Sequence, residues 1–158
     1  MLLSPHTMVG LAIGATIQNP LIAIPLSFVS HFVGDLVPHW DFFDHFPSKN
    51  ELFKGWQGKL FFTDLSLGIA LGLSFTFYAL WMQQNPYLAL NMFVCGITAV
   101  IPDAMYAPIV FVNSKNVIIR FFYKLQGKLH SRAEIIFGNI TQIAVLISAF
   151  LVTVNSLK

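Results

Sequence analysis

Charge is what this sequence has least of. Of its 158 residues only 10% are Asp, Glu, Lys or Arg, against 56% hydrophobic, and the mean hydropathy is +0.69. A soluble domain carries about 25% charged residues, so this chain lacks the charge to cover a surface facing water, whereas a bilayer accepts its Phe, Leu and Ile directly. Cysteine is nearly absent as well. Cys95 stands alone in an apolar stretch, which rules out an internal disulfide and reads as a small buried hydrophobe, with nothing beside it to activate a thiolate. No basic segment precedes the first apolar run, so no cleaved signal peptide is expected. Three hydrolase signatures are also missing: the His-Glu-x-x-His of zinc proteases, the Gly-x-Ser-x-Gly nucleophile elbow, and a basic stretch followed by Ser-Gly-His, as in phosphatidic-acid phosphatases.

The formal charge of +2 and pI near 8.8 would suggest nucleic acid only if Lys and Arg formed a patch beside stacking aromatics. The 16 Phe lie in apolar runs instead. Nucleic acid is therefore not an expected partner, and membrane lipids are. The length allows one domain, residues 1–158, with four or five helices at about 20 residues per span.

Ser4-Pro5-His6 reads as a helix start, with Ser4 as N-cap and Pro5 in the first turn, leading into a Gly/Ala-rich run to about Ile17. Asn19-Pro20 breaks and restarts the chain, and a second apolar run continues to Val37, with Pro38 marking its exit. His39 to Gly58 reads as an interfacial loop with Trp40 and Trp56 at headgroup level, and Asp44 and His45 fall in its solvated part. A third span runs from Lys59 to Met82, where Gly68-x-x-x-Gly72 would admit a neighbouring helix, and a fourth from Pro86 to about Val112, interrupted by Pro102. Ser114 to His130 mixes Phe, Ile and Leu with Lys115, Arg120, Lys124 and Lys128, the pattern of an amphipathic helix lying in the membrane surface. Ser131-Arg132-Ala133-Glu134 fits a capping box opening a fifth span that ends near Val154. The expected fold is an all-α, polytopic membrane bundle of about five spans plus one interfacial helix. Because the basic residues crowd the two loops on the side of the N-terminus, the positive-inside rule puts that side in the cytoplasm.

Ionisable residues inside apolar spans are costly and usually have a partner and a purpose. In the five-span threading His6, His31, Asp35, Asp64, Asp103 and His130 all fall toward the same ends of their helices. The most specific local pattern is His31-x-x-x-Asp35-x-x-x-His39-x-Asp41. Residues four apart share a helical stripe, so His31 and Asp35 face one way; His39 either extends the stripe or, turned by Pro38, folds back with Asp41 over the site. Singly, each residue has a plainer reading, as a helix-end histidine or an aspartate bonded to a neighbouring helix. Together they suit a divalent metal, since imidazole and carboxylate are ligands of zinc, manganese and iron, and one cation would answer the desolvation of all these carboxylates. The expected ligands are His6, His31, Asp35, His39, Asp64, Asp103 and His130, with zinc first and manganese second. Without cysteine, such a set favours a hydrolytic over a structural ion.

The segment Ser30-His31-Phe32-Val33-Gly34-Asp35-Leu36-Val37-Pro38-His39-Trp40-Asp41, with Pro5-His6 before it and Ile101-Pro102-Asp103 and Leu129-His130-Ser131-Arg132 after it, resembles the small bacterial inner-membrane, predicted metal-dependent hydrolases that include LexA-regulated members. The resemblance spans most of the chain. It implies a bacterial inner-membrane location and His6, His31, Asp35, Asp103 and His130 as ligands, with Asp64 as a sixth. The family's Pro-Asp-x-Asp is Pro102-Asp103-Ala104-Met105 here, so one carboxylate is missing or comes from Asp35, Asp41 or Asp64. Its His-Arg-x-x-Thr-His-Ser is reduced to Leu129-His130-Ser131-Arg132.

The function these readings favour is metal-dependent hydrolysis of an ester or phosphoester, with a lipid as the expected substrate. The general base would be whichever of Asp35, Asp64 and Asp103 is not a ligand. Two alternatives stand beside it: an ion or proton carrier, which would need polar residues in the far half of the bundle, and a structural helix bundle with buried Asp/His contacts.

Overall fold

A computed structural model describes residues 1–43 and 48–158; Asp44 and His45, read above as solvated, lie outside the described residues. The described chain is all-helical. Helix α1 spans Leu3–Thr16, α2 Pro20–Leu36, α3 Lys49–Lys54, α4 Trp56–Phe77 with a π-helical extension Tyr78–Met82, α5 Pro86–Ala104, α6 Ala107–Val112, α7 Val117–Leu129 and α8 Ile135–Ser156.

Among the described residues, three stretches are long and apolar enough to cross a membrane: Trp56–Met82, Pro86–Val112 and Ile135–Ser156. Their outward faces carry large apolar side chains such as Trp81, Phe93, Ile136 and Leu151, a surface that water would not tolerate and lipid would. The chain is thus built for association with a membrane. The expected first and second spans are shorter, α1 having 14 residues and α2 17. At 1.5 Å per residue α1 reaches roughly 21 Å, well short of the ~30 Å hydrocarbon core.

Helix α1 is instead the buried centre, packed against α2, α4, α5 and α8, with its residues from Ser4 to Ala15 almost all buried. Small side chains make this possible. A Cβ on Gly10 would lie 2.5 Å from the Cys95 carbonyl oxygen, and one on Gly14 would lie 2.7 Å from Met92 Cα, so α1 and α5 touch backbone to backbone. The Gly68-x-x-x-Gly72 stripe of α4 also faces α1, but loosely, with Thr7 at 3.2 Å and 3.7 Å from the two virtual Cβ positions. The closest backbone contact is therefore at the Gly10/Gly14 pair, while a Cβ on Gly68 of α4 would meet Ser4 Cα of α1 at 3.6 Å.

Two helices start as the sequence suggests. Asn19 accepts a hydrogen bond from Leu21 N and Asn85 one from Leu88 N, each followed by proline at the first helical position, where its missing N–H costs nothing. Other boundaries differ. Ser4 is not an N-cap: α1 begins at Leu3, and the Ser4 hydroxyl donates to Asp64. The Ser131/Glu134 capping box does not form, because α8 begins only at Ile135 and residues 131–133 are held in extended pairing with the chain after α2. The expected interfacial loop contains α3, opened by a capping box between Ser48 and Glu51, and α4 already begins at Trp56. The amphipathic helix is present as α7, with Val117, Ile118 and Phe121 exposed.

Replacing Gly10 or Gly14 with leucine should lower the stability of detergent-solubilised protein by roughly 1–3 kcal/mol through overpacking. Gly127 of α7 has nothing within 4 Å of its virtual Cβ, and Gly127→Ala should raise stability by about 0.4–1 kcal/mol. Thermal unfolding followed by circular dichroism checks both, and equal effects at the three sites would show that the α1–α5 contact is not tight.

Candidate metal centre

Alternating helix directions bring the start of α1, the end of α2, the start of α4, the end of α5 and the start of α8 to one end of the bundle. There the ionisable residues meet. Val37 is extended, as a residue before proline prefers, and Pro38 turns the chain away from the axis of α2. The turned segment pairs with the α7–α8 connection: His39 N donates to the Ser131 carbonyl at 3.1 Å, Ser131 N to Asp35 O at 2.9 Å, and Ala133 N to His39 O at 2.9 Å. Gly138 of α8 lets this segment lie close, since a Cβ there would stand 2.3 Å from Trp40 N. His39 and Asp41 thus fold back over the site, the second of the two geometries the sequence allows.

Asp35 is the hub. It is fully buried. Its Oδ1 lies 3.2 Å from His6 Nε2 and accepts from the Met1 amino group, while Oδ2 stands 3.4 Å from His31 Nε2 and has no hydrogen-bond partner among the described residues. The Met1 nitrogen is also 2.7 Å from His39 Nε2 and 4.0 Å from Asp41 Oδ1. His130 Nε2 approaches Asp41 Oδ2 at 2.9 Å and His39 Nε2 approaches it at 3.5 Å. The rings of His6 and His31 stack with centroids 4.0 Å apart, and those of His39 and His130 meet edge to face at 4.5 Å.

Two imidazoles have their tautomer fixed by backbone. His31 Nδ1 lies 2.8 Å from the Ala99 carbonyl and His39 Nδ1 2.7 Å from that of Val37. A carbonyl only accepts, so both Nδ1 atoms donate to it, and both Nε2 atoms are turned toward the centre, the orientation typical of metal-ligating histidine. Asp41 lies outside the spanning helices. Burial pushes its carboxyl up, but hydrogen bonds from His130 and His39 outweigh that and hold it well below the usual carboxylate range.

Asp35 joins two groups of convergent ligand atoms, His6/His31/Asp35 and Asp35/His39/His130, each within 4.8 Å. The donor set, the aimed Nε2 atoms and the unpartnered Asp35 Oδ2 fit a divalent cation. Asp103 is not in either group; it lies 3.6 Å from His31 Nε2 and accepts from Gln126 Nε2, which also faces His31 at 3.3 Å. Asp64 stands apart. Its carboxylate accepts from Leu3 N at 2.6 Å, Ser4 N at 3.3 Å and the Ser4 hydroxyl, capping α1 from another helix. Gln142 of α8 completes that end, accepting from Leu2 N and donating to the Trp40 carbonyl, both at 2.8 Å. Sequence reading missed Gln126 and Gln142, whose only signal was an amide lying four residues before His130 and another alone in an apolar span.

A cavity of about 630 Å³ adjoins the cluster. Its lining is mainly aromatic and aliphatic, including Phe42, Phe53, Phe61 and Phe111, and its polar side chains are those of Asp41, Asp64, Asp103, Gln126, His130 and Arg132. The fold and site define an all-helical, membrane-associated protein with a buried His/Asp cluster beside an apolar chamber. Comparison with family models, curated proteins and solved structures found no match to this chain.

Asp64→Ala should remove the cap of α1 and destabilise the protein by about 1–2 kcal/mol, whereas Asp64→Asn, which keeps an acceptor, should cost less. Bound metal per chain should be the same in both variants as in the parent protein. Loss of metal in Asp64→Asn with unchanged melting would make Asp64 a ligand instead.

Proposed function

We propose that the protein is a membrane-bound, metal-dependent hydrolase acting on an ester or phosphoester of a lipid. One observation carries the reading: Asp35, His39 and His130 converge where Asp41 and His130 line an apolar cavity large enough for part of an amphiphile. When bound there, zinc or manganese would supply Lewis acidity, lowering the pKa of water from 15.7 toward about 7.

The chain's own groups do the rest. Asp35, His39 and His130 hold the cation, with Asp41 beside them. Asp103 lines the cavity and accepts from the Gln126 amide, which aims its carboxylate at the site as the proton acceptor. Arg132, also on the cavity lining, pairs with the anionic headgroup, and the aromatic walls keep bulk water from the reacting bond. The lipid enters from the bilayer, so the scissile bond sits at headgroup depth. The resemblance to the bacterial inner-membrane hydrolases, carried by His6, His31, Asp35, Asp103 and His130, supports this reading. The crowding of Lys and Arg near this end supports a cytoplasmic orientation.

Purified protein in lipid nanodiscs should release phosphate or fatty acid from a membrane lipid extract. A chelator should abolish the release and added zinc or manganese restore it. His39→Ala and His130→Ala should each lower kcat/KM by at least about 100-fold, while Asp103→Asn should lower kcat with little change in KM. Turnover that survives both the chelator and the histidine substitutions would overturn the proposal.

A further inference from the structure

We propose that His6, His31 and Asp35 form a second cation site, enclosed by protein and joined to the cavity-facing one by Asp35 as bridging carboxylate. This rests on the reading above and adds an ion to it. The two groups of ligand atoms share Asp35 alone. They differ in access: His130 lines the cavity, whereas His6 and His31 do not line it and are buried. The outer position is open on one side, as a catalytic ion requires, and the inner is closed.

Hydrogen bonding accounts for only part of the inner group: His6 Nε2 lies 3.2 Å from Asp35 Oδ1, but Asp35 Oδ2 has no hydrogen-bond partner among the described residues. With the His31 proton on Nδ1, directed at the Ala99 carbonyl, the bare Nε2 faces Asp35 Oδ2 at 3.4 Å. Two acceptors then confront each other in a buried setting, and Oδ2 has no other partner among the described residues. An unsatisfied buried acceptor is strongly unfavourable, and either a second proton on His31 or a cation between the two atoms removes the conflict. Gln126 Nε2, a donor, sits 3.3 Å from His31 Nε2. This contact is the one a ring with an unprotonated Nε2 makes. His6 completes the inner set, its Nε2 directed at Asp35 and its ring stacked on His31. At the outer position the Met1 amino group contacts Asp35 Oδ1, His39 Nε2 and Asp41 Oδ1, and a metal ion there would take its place. Imidazole and carboxylate donors on both sides suit zinc or manganese, and paired ions joined through shared ligands are a known hydrolytic arrangement.

The test uses the full chain in detergent, stripped with chelator and titrated with manganese. Metal analysis and electron paramagnetic resonance provide readouts independent of turnover. Two equivalents per chain with an exchange-coupled spectrum are expected, and His6→Ala should hold a single equivalent with an uncoupled signal. Should that variant not fold, the parent titration still decides. A single equivalent in the parent protein overturns the second site and leaves the hydrolase reading intact, the inner group then being an imidazolium held by carboxylates. Two equivalents without coupling overturn the bridge, and none overturns both proposals. Coupled binding of two ions with no hydrolysis of any lipid would sustain this site and remove the enzymatic reading.

Discussion

A carboxylate with no access to water governs this structure. Burying an ion costs several kcal/mol unless its oxygens are matched, and Asp35 Oδ1 is matched by the Met1 amino group and by His6 of α1, while Oδ2 faces His31 of its own helix at 3.4 Å. None of these can shift without leaving charge bare. The architecture at this end of the bundle follows from that demand. It explains why α2 stops at Leu36, why residues 131–133 run extended instead of starting α8, and why Gly138 gives up a side chain where Trp40 passes.

The second constraint is a helix too short to span and too buried to fray. Helix α1 has no side-chain N-cap of its own; Asp64 and Gln142 satisfy its first amides, Pro5 offers none, and Asn91 donates to the Gly14 and Ile17 carbonyls at its other end, each at 2.8 Å. Free helix ends must be satisfied somewhere, and here the side-chain bonds at the N-terminal end all come from other helices. Fixing α1 by its neighbours also fixes His6 relative to His31. The position of the cluster is thereby set by the packing of the whole bundle, the rigidity that metal ligands need.

The surroundings of Asp35 differ on its two sides. Toward α1 and α2 the surroundings are closed, with stacked rings and backbone acceptors that set the tautomers. Toward α7 and the α7–α8 connection the same cluster opens on a chamber walled by phenylalanine. Its polar lining includes Asp103, held by Gln126, and Arg132.

Much of this was legible in the sequence. Low charge and long apolar runs determined a helical, membrane-associated chain, because no other fold hides so much hydrocarbon. The Asn-Pro pairs determined two helix starts, and the four-residue spacing of His31 and Asp35 put them on one stripe. Even the gathering of His6, His31, Asp35, Asp103 and His130 at one end followed from counting helices, since it depends only on direction reversals. What the tertiary structure decided are the matters that depend on neighbours distant in sequence. It made α1 a buried strut rather than a span, because only packing shows that Gly10 and Gly14 touch α5. It turned Ser4 from an N-cap into a donor to Asp64, drew Asp64 away to cap α1, and brought in Gln126 and Gln142. Local patterns predict local bonds, but a buried polar atom takes whatever partner the fold presents, and that choice is made across helices rather than along them.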